Sequence, residues 1–227
     1  MQFALLIVLG AAVGMGLRRI VLWRRCGCNP PAQRLYLAMS WAVGGGAYAA
    51  MAVQEAVLLF SGQLHWRNAL PLHLCSLMGL FTLPMLISRR RLLRHLSLYL
   101  GLPGALMALL FPAVLETPWP RVTELAFHLM HCCVFLAPLL PLSLGWRPSP
   151  WGAAWSLGFL ALAACVALGM NALTGGNYLF LNFSPVPWMN QWGQTAWRLT
   201  LAALAVLVLL AEGCTVYLLQ RKRGWSH

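Results

Sequence analysis

The polar residues able to do chemistry in this 227-residue chain stand in a few short stretches. His73 and Cys75 lie two apart in Leu70-Pro71-Leu72-His73-Leu74-Cys75-Ser76-Leu77, and His128 and His131 lie three apart in Phe127-His128-Leu129-Met130-His131. A thiol attacks an ester only as thiolate, and an apolar setting disfavours the charged form, so a neighbouring imidazole must take the proton. His131 is expected to be that base, returning the proton to the leaving alcohol. His73 or Asn177 would orient the imidazole or donate to the oxyanion, and Glu55 would fix a histidine tautomer. The same groups admit two other chemistries. His and Cys suit zinc or copper, with His128 and His131 on one helical face; membrane-embedded Glu and His also line solute or proton pathways.

These residues sit in a chain that is 60% apolar and carries 16 basic and 4 acidic side chains, about a third of the usual charged share. A soluble domain is excluded. Apolar runs define an all-α, polytopic transmembrane bundle, a single domain over 1–227 with about seven spans near 1–17, 35–60, 69–87, 96–115, 125–144, 151–173 and 197–219. The first run has no basic residue ahead of it, and Arg18-Arg19 follow it, so it reads as a retained span and not a signal peptide. The net charge of +12 comes from short clusters between apolar runs, where it sets topology and does not point to nucleic acid. Odd-numbered loops and the tail, including Arg221, Lys222 and Arg223, hold thirteen of the 16 basic residues; Arg67, Arg121 and Arg198 are the even-loop remainder. That bias puts the N-terminus outside and the C-terminus in the cytoplasm. Trp23, Trp66, Trp119, Trp146, Trp151, Trp188, Trp192, Trp197 and Trp225 fall at span edges, as an interfacial belt requires.

Glycines 44–46, 101 and 104 are expected to let helices approach closely, and Pro84, Pro103, Pro112, Pro138 and Pro141 to kink them. Depth then brings the polar groups together. At 1.5 Å of rise per residue, His73 and Cys75 fall roughly 6 and 9 Å below the outer edge, and His128 and His131 roughly 5 to 9 Å. Glu55 and Asn171 share that level, while Glu212 lies apart in the inner half, which favours a one-sided pocket over a pathway. Glu55, His73, Cys75, His128 and His131 are expected to converge beneath the uncharged loop from Thr174, with Asn177 or Tyr178 reaching towards them. Cys132, Cys133, Cys165 and Cys214 read as packing, and Cys26 and Cys28 as an isolated C-x-C.

The Leu-Pro-Leu-His-x-Cys segment, the Phe127–His131 stretch and Gly176-Asn177-Tyr178-Leu179-Phe180-Leu181 together resemble the YwaF-like family of integral membrane proteins, over about residues 40 to 219. That family is related to the eukaryotic transmembrane protein 164. The resemblance implies a phospholipid acyltransferase that uses a cysteine and a histidine, matching Cys75 and either His131 or, one turn away, His128. It implies a membrane phospholipid as substrate; residence in the plasma membrane and no cofactor are expected. Ester carbonyls of phospholipids lie just inside the headgroup region, the level at which Cys75 and His131 are expected. A reporter active only in the cytoplasm, fused after His227, should give signal; a silent fusion would overturn the seven-span reading.

Overall fold

The computed structural model describes residues 2–222; Met1 and residues 223–227, with Arg223 and Trp225, lie outside the described residues. All regular secondary structure among the described residues is helical, with no strand. We number the long helices α1 (Gln2–Arg25), α2 (Asn29–Phe60), α3 (Leu74–Ser88), α4 (Arg91–Leu110), α5 (Pro120–Ser143), α6 (Gly152–Thr174) and α7 (Gln194–Lys222). Among the described residues five helices, α2 and α4 to α7, are long and apolar enough to cross a membrane, and α3 is a shorter apolar helix of 15 residues. This is a multi-pass membrane architecture. The chain turns alternately at two ends. A basic end holds the α1–α2, α3–α4 and α5–α6 links, and a loop end holds segments 61–73, 111–119 and 175–193.

Proline and glycine shape the helices. Pro30 and Pro31 open α2, where a missing N–H costs nothing. Pro84, inside α3, has no N–H for the Leu80 carbonyl, and the Tyr48 hydroxyl of α2 donates to that oxygen instead at 2.7 Å. Tyr36, three turns earlier on α2, donates to Leu86 O at 2.9 Å near the end of α3, where carbonyls lack helical partners. In α4 the segment Ser97–Gly101 widens to a π-helix immediately before Pro103, and Leu102 N–H bonds Ser97 O. The wider turn absorbs the proline's missing donor. Helix α5 breaks between Leu136 and Leu139, at Pro138. Pro112 lies past the end of α4 and kinks no helix.

Small residues let the helices close on one another. A methyl at Gly44 of α2 would meet Leu83 Cα of α3 at 3.0 Å and Leu83 Cβ at 2.8 Å, and one at Gly46 would lie 3.2 Å from Cys133 Sγ of α5. Gly101 of α4 receives Val134 of α5 and Met78 of α3. Helix α2 thus packs on α3 and α5, and α4 on those same two helices. The middle glycine of the triplet, Gly45, faces open space. Gly44→Ala should therefore destabilise the protein by about 1–3 kcal/mol, the usual penalty of overpacking, while Gly45→Ala should leave stability unchanged or slightly raised. Thermal unfolding of the two variants in detergent checks this; equal midpoints would show that the α2–α3 contact yields without cost.

Candidate functional site

The approach to Cys75 is built from non-helical chain. Pro71 pushes the residue before it out of helical geometry, and the helix starts at Leu74, five residues later than hydropathy suggests. With 15 residues α3 spans about 22 Å, short of the roughly 30 Å hydrocarbon core. Segment 69–73, before it, is non-helical backbone. The loop from Gly175 covers it. The Tyr178 hydroxyl accepts the Leu70 N–H at 3.1 Å and donates to Trp66 O at 2.6 Å, while Leu70, Leu72 and Leu74 pack on Tyr178, Leu179 and Leu181. Gly176 presses so closely that a methyl there would meet Arg67 O at 2.8 Å.

This loop is held from three sides. Asn171, buried on α6, clasps Tyr178 through both amide atoms: Oδ1 accepts from Tyr178 N–H at 2.7 Å, and Nδ2 donates to Tyr178 O at 3.0 Å. From α7, Trp197 Nε1 donates to Phe180 O at 2.5 Å and Arg198 Nε to Leu181 O at 2.8 Å. Between these anchors Leu179 and Phe180 both adopt left-handed backbone, φ 55° each. Such residues cost on the order of 1–3 kcal/mol each and persist only where surrounding contacts over-determine them. The strain places the Phe180 ring 4.9 Å from the His73 ring, with Tyr178 at 5.7 Å. His73 Nδ1 is buried there without a hydrogen-bond partner, an exception among buried polar atoms that invites a functional reading.

Cys75 is the second residue of α3. The N–H groups of Leu74, Cys75 and Ser76 have no acceptor among the described residues, and His73 makes no side-chain cap, so the helix opens with free donors beside the thiol. Sequence reading looked to His73 and Asn177 for an oxyanion donor and missed these backbone groups; Pro71 ahead of the helix start was the signal for them.

Cys75 and His131 share a level along the bundle. Met78 and Val134 meet the same Gly101, and Cys75 and His131 each lie three residues, about 4.5 Å, further towards the loop end. On α4 the matching step reaches Gly104, where a methyl would sit 3.6 Å from Cys75 Sγ. His131 is buried and His128 half-buried. Each ring's Nδ1 lies 2.7 Å from a carbonyl one turn earlier, Phe127 O and Glu124 O. A carbonyl only accepts, so Nδ1 carries the proton, and Nε2 of each neutral imidazole is the basic atom. No hydrogen bond joins Cys75 to either ring among the described residues.

Asn177 closes the loop on itself, with Oδ1 accepting from Asn182 and Phe183 N–H and Nδ2 donating to Phe183 O, so its amide is occupied. Glu55 is exposed on α2 and makes no hydrogen bond among the described residues. No group of three or more His, Cys, Asp and Glu among the described residues is placed to hold a metal ion. Asn171 and Tyr178 act on the covering loop. Replacing Asn171 with Leu should leave the Tyr178 N–H unpaired and its carbonyl with the Leu181 N–H alone, at 3.3 Å, and cost about 1–3 kcal/mol. Hydrogen exchange at residues 176–183 should accelerate in that variant, and unchanged protection would show that Trp197 and Arg198 suffice.

Neither a curated protein nor a solved structure matches this chain. A family match exists, and it spans the helices, the Leu-Pro-Leu-His-x-Cys segment, the paired histidines and the clasped loop, in agreement with the resemblance those residues carry. Over residues 1–211 the chain matches the TMEM164 family, and it belongs to that family.

Proposed function

We propose that this protein is an intramembrane phospholipid acyltransferase or lipase that works by covalent catalysis at Cys75, with His131 as the base. The observation that carries the reading is the placement of Cys75 on an uncapped first helical turn, at the level of a buried imidazole whose Nε2 is free. In the first half-reaction His131 Nε2 takes the thiol proton, by rotation of the thiol or through one water, and Sγ attacks the ester carbonyl carbon. The oxyanion accepts from the N–H groups of Cys75 and Ser76, which the positive end of the α3 dipole reinforces. Collapse breaks the bond to the lysolipid oxygen, the imidazolium protonates that oxygen, and an acyl thioester remains. An acceptor alcohol, or water in a lipase, then gives its proton to His131, attacks the thioester carbonyl and releases the thiol.

The loop end suits such a substrate. A cavity of about 710 Å³ opens there between His65, Trp66, Arg67 and Thr174, with the Arg67 guanidinium available to a lipid phosphate. His73, with its unpartnered Nδ1, offers a polar contact inside an otherwise apolar approach. In this reading the loop end lies in the outer half of the plasma membrane, the chain crosses seven times, and the C-terminus is cytoplasmic. The active site meets ester carbonyls at their natural depth, and the substrate stays in its leaflet.

A lipid with a labelled acyl chain should leave that chain on Cys75, releasable by neutral hydroxylamine as a thioester is. Cys75→Ala should abolish the label, and His131→Ala should slow its appearance about 10²- to 10⁴-fold, the usual contribution of general-base assistance. His128→Ala should slow it less; the reverse order would assign the base to His128. Lipid turnover that survives Cys75→Ala at the original rate would dismiss covalent cysteine catalysis.

A further inference from the structure

A second cavity, of about 270 Å³, lies at the basic end of the bundle, remote in the fold from the covered approach to Cys75. Arg24 from α1, Arg89 at the end of α3 and Arg94 from the first turn of α4 line it, together with Asn29 and Gln33 of α2 and Trp146 of the α5–α6 link. No carboxylate lines it. Three guanidinium groups from three elements therefore face one small space with nothing to neutralise them, and each pair repels the more as it leaves water. A topology signal does not require this. Arg25, Arg34, Arg90, Arg91 and Arg221 lie at the same end and satisfy the positive-inside rule without facing the cavity.

Several local features hold the three cations in place. Arg89 ends α3 in left-handed backbone, φ 55°, a position where glycine or asparagine is the ordinary choice. The Arg24 guanidinium lies directly over Gly145, itself at φ 86°, so that any side chain at 145 would displace it. Arg94 stacks on the Trp146 ring at 5.9 Å, and the Tyr36 hydroxyl lies against its guanidinium. Its Nε nevertheless remains buried without a hydrogen-bond partner. A buried charged donor left unpaired is costly, and the same side chain lines the cavity. The side-chain amides of Asn29 and Gln33, one turn apart, add donors that no protein group occupies among the described residues.

We infer that the convergence of Arg24, Arg89 and Arg94 on this cavity forms a binding site for a phosphate group. Guanidinium forks match phosphate oxygens in pairs, which a single ammonium does not. The volume falls just under the range of small-molecule pockets, enough for a phosphate group and not for a whole lipid. At the end of a transmembrane bundle that phosphate belongs either to a lipid headgroup or to a soluble phosphate compound.

Two probes separate the sources, using full-length protein in a maltoside detergent. Native mass spectrometry with phosphatidic acid should show one retained lipid, and thermal unfolding with inorganic phosphate should show a concentration-dependent rise in midpoint. Retention of phosphatidic acid alone assigns a headgroup site, and a response to inorganic phosphate, with or without the lipid, assigns a site open to soluble phosphate; each supports the inference. Arg94→Gln and the exposed Arg24→Gln should each weaken the responding probe at least tenfold, while Arg25→Gln should change it less than twofold. Arg24→Gln, altering only an exposed side chain, keeps the test valid if Arg94→Gln fails to fold. Binding of neither probe, or an equal loss in Arg25→Gln, would overturn the site, the latter by reducing it to diffuse positive charge.

Discussion

Non-helical backbone cannot face lipid, because each unpaired N–H or C=O in hydrocarbon costs several kcal/mol. The non-helical entry to α3 presents such groups in an otherwise apolar stretch, and much of the loop end follows from pairing them. Tyr178 satisfies Leu70 and Trp66 with one hydroxyl. Asn171, Trp197 and Arg198 fix Tyr178 and its successors, and the strain at Leu179 and Phe180 is the consequence of being held at both ends. By shortening α3, the same entry puts its free N-terminal donors and Cys75 inside the bundle instead of at its rim.

The interior is assembled without a hydrophobic driving force between helices, since lipid is as apolar as the side chains. Close packing does that work. Glycines 44, 46, 79, 101 and 104 receive side chains from the neighbouring helices, and the sulfur-bearing Met51, Met130 and Cys133 fill the irregular spaces between them. The two α2 tyrosines contribute differently, by donating to α3 carbonyls, one of which Pro84 has freed. At the basic end a parallel arrangement secures the α5–α6 link: His95 Nε2 accepts the Ser149 N–H at 3.0 Å, Tyr99 donates to Ser149 O at 2.8 Å, and Gln220 of α7 donates to Pro148 O at 2.5 Å.

For the chemistry, helix geometry has already made a choice that reactive groups usually need a dedicated partner to make. A histidine whose Nδ1 donates to the carbonyl one turn back is fixed in one tautomer, with Nε2 basic. His128 and His131 are both set this way, so tautomer does not distinguish them. They differ in burial and level: His131 is the enclosed ring, aligned with Cys75 through their common relation to Gly101. Glu55 is not needed for this fixation, and its exposed position agrees.

Hydropathy and charge alone determined that the chain is an apolar helical bundle with basic links at one end, because span length and loop charge are properties of consecutive residues. Residue types also singled out Cys75, the two histidines and the loop around Tyr178, since nucleophiles, imidazoles and an uncharged loop are conspicuous in so apolar a chain. Helix limits were less legible. A basic last turn carries α1 to Arg25 and a polar first turn starts α2 at Asn29, while Pro71 delays α3 to Leu74. Only the tertiary structure decided what each polar side chain does. Asn177 turned inward to its own loop, Asn171 became a clasp, and Trp197 and Arg198, read from sequence as belt and topology residues, became its fasteners. The reason is physical: these roles depend on backbone groups brought close from distant segments, and a buried donor takes the acceptor that folding places beside it. Sequence spacing holds no record of that meeting.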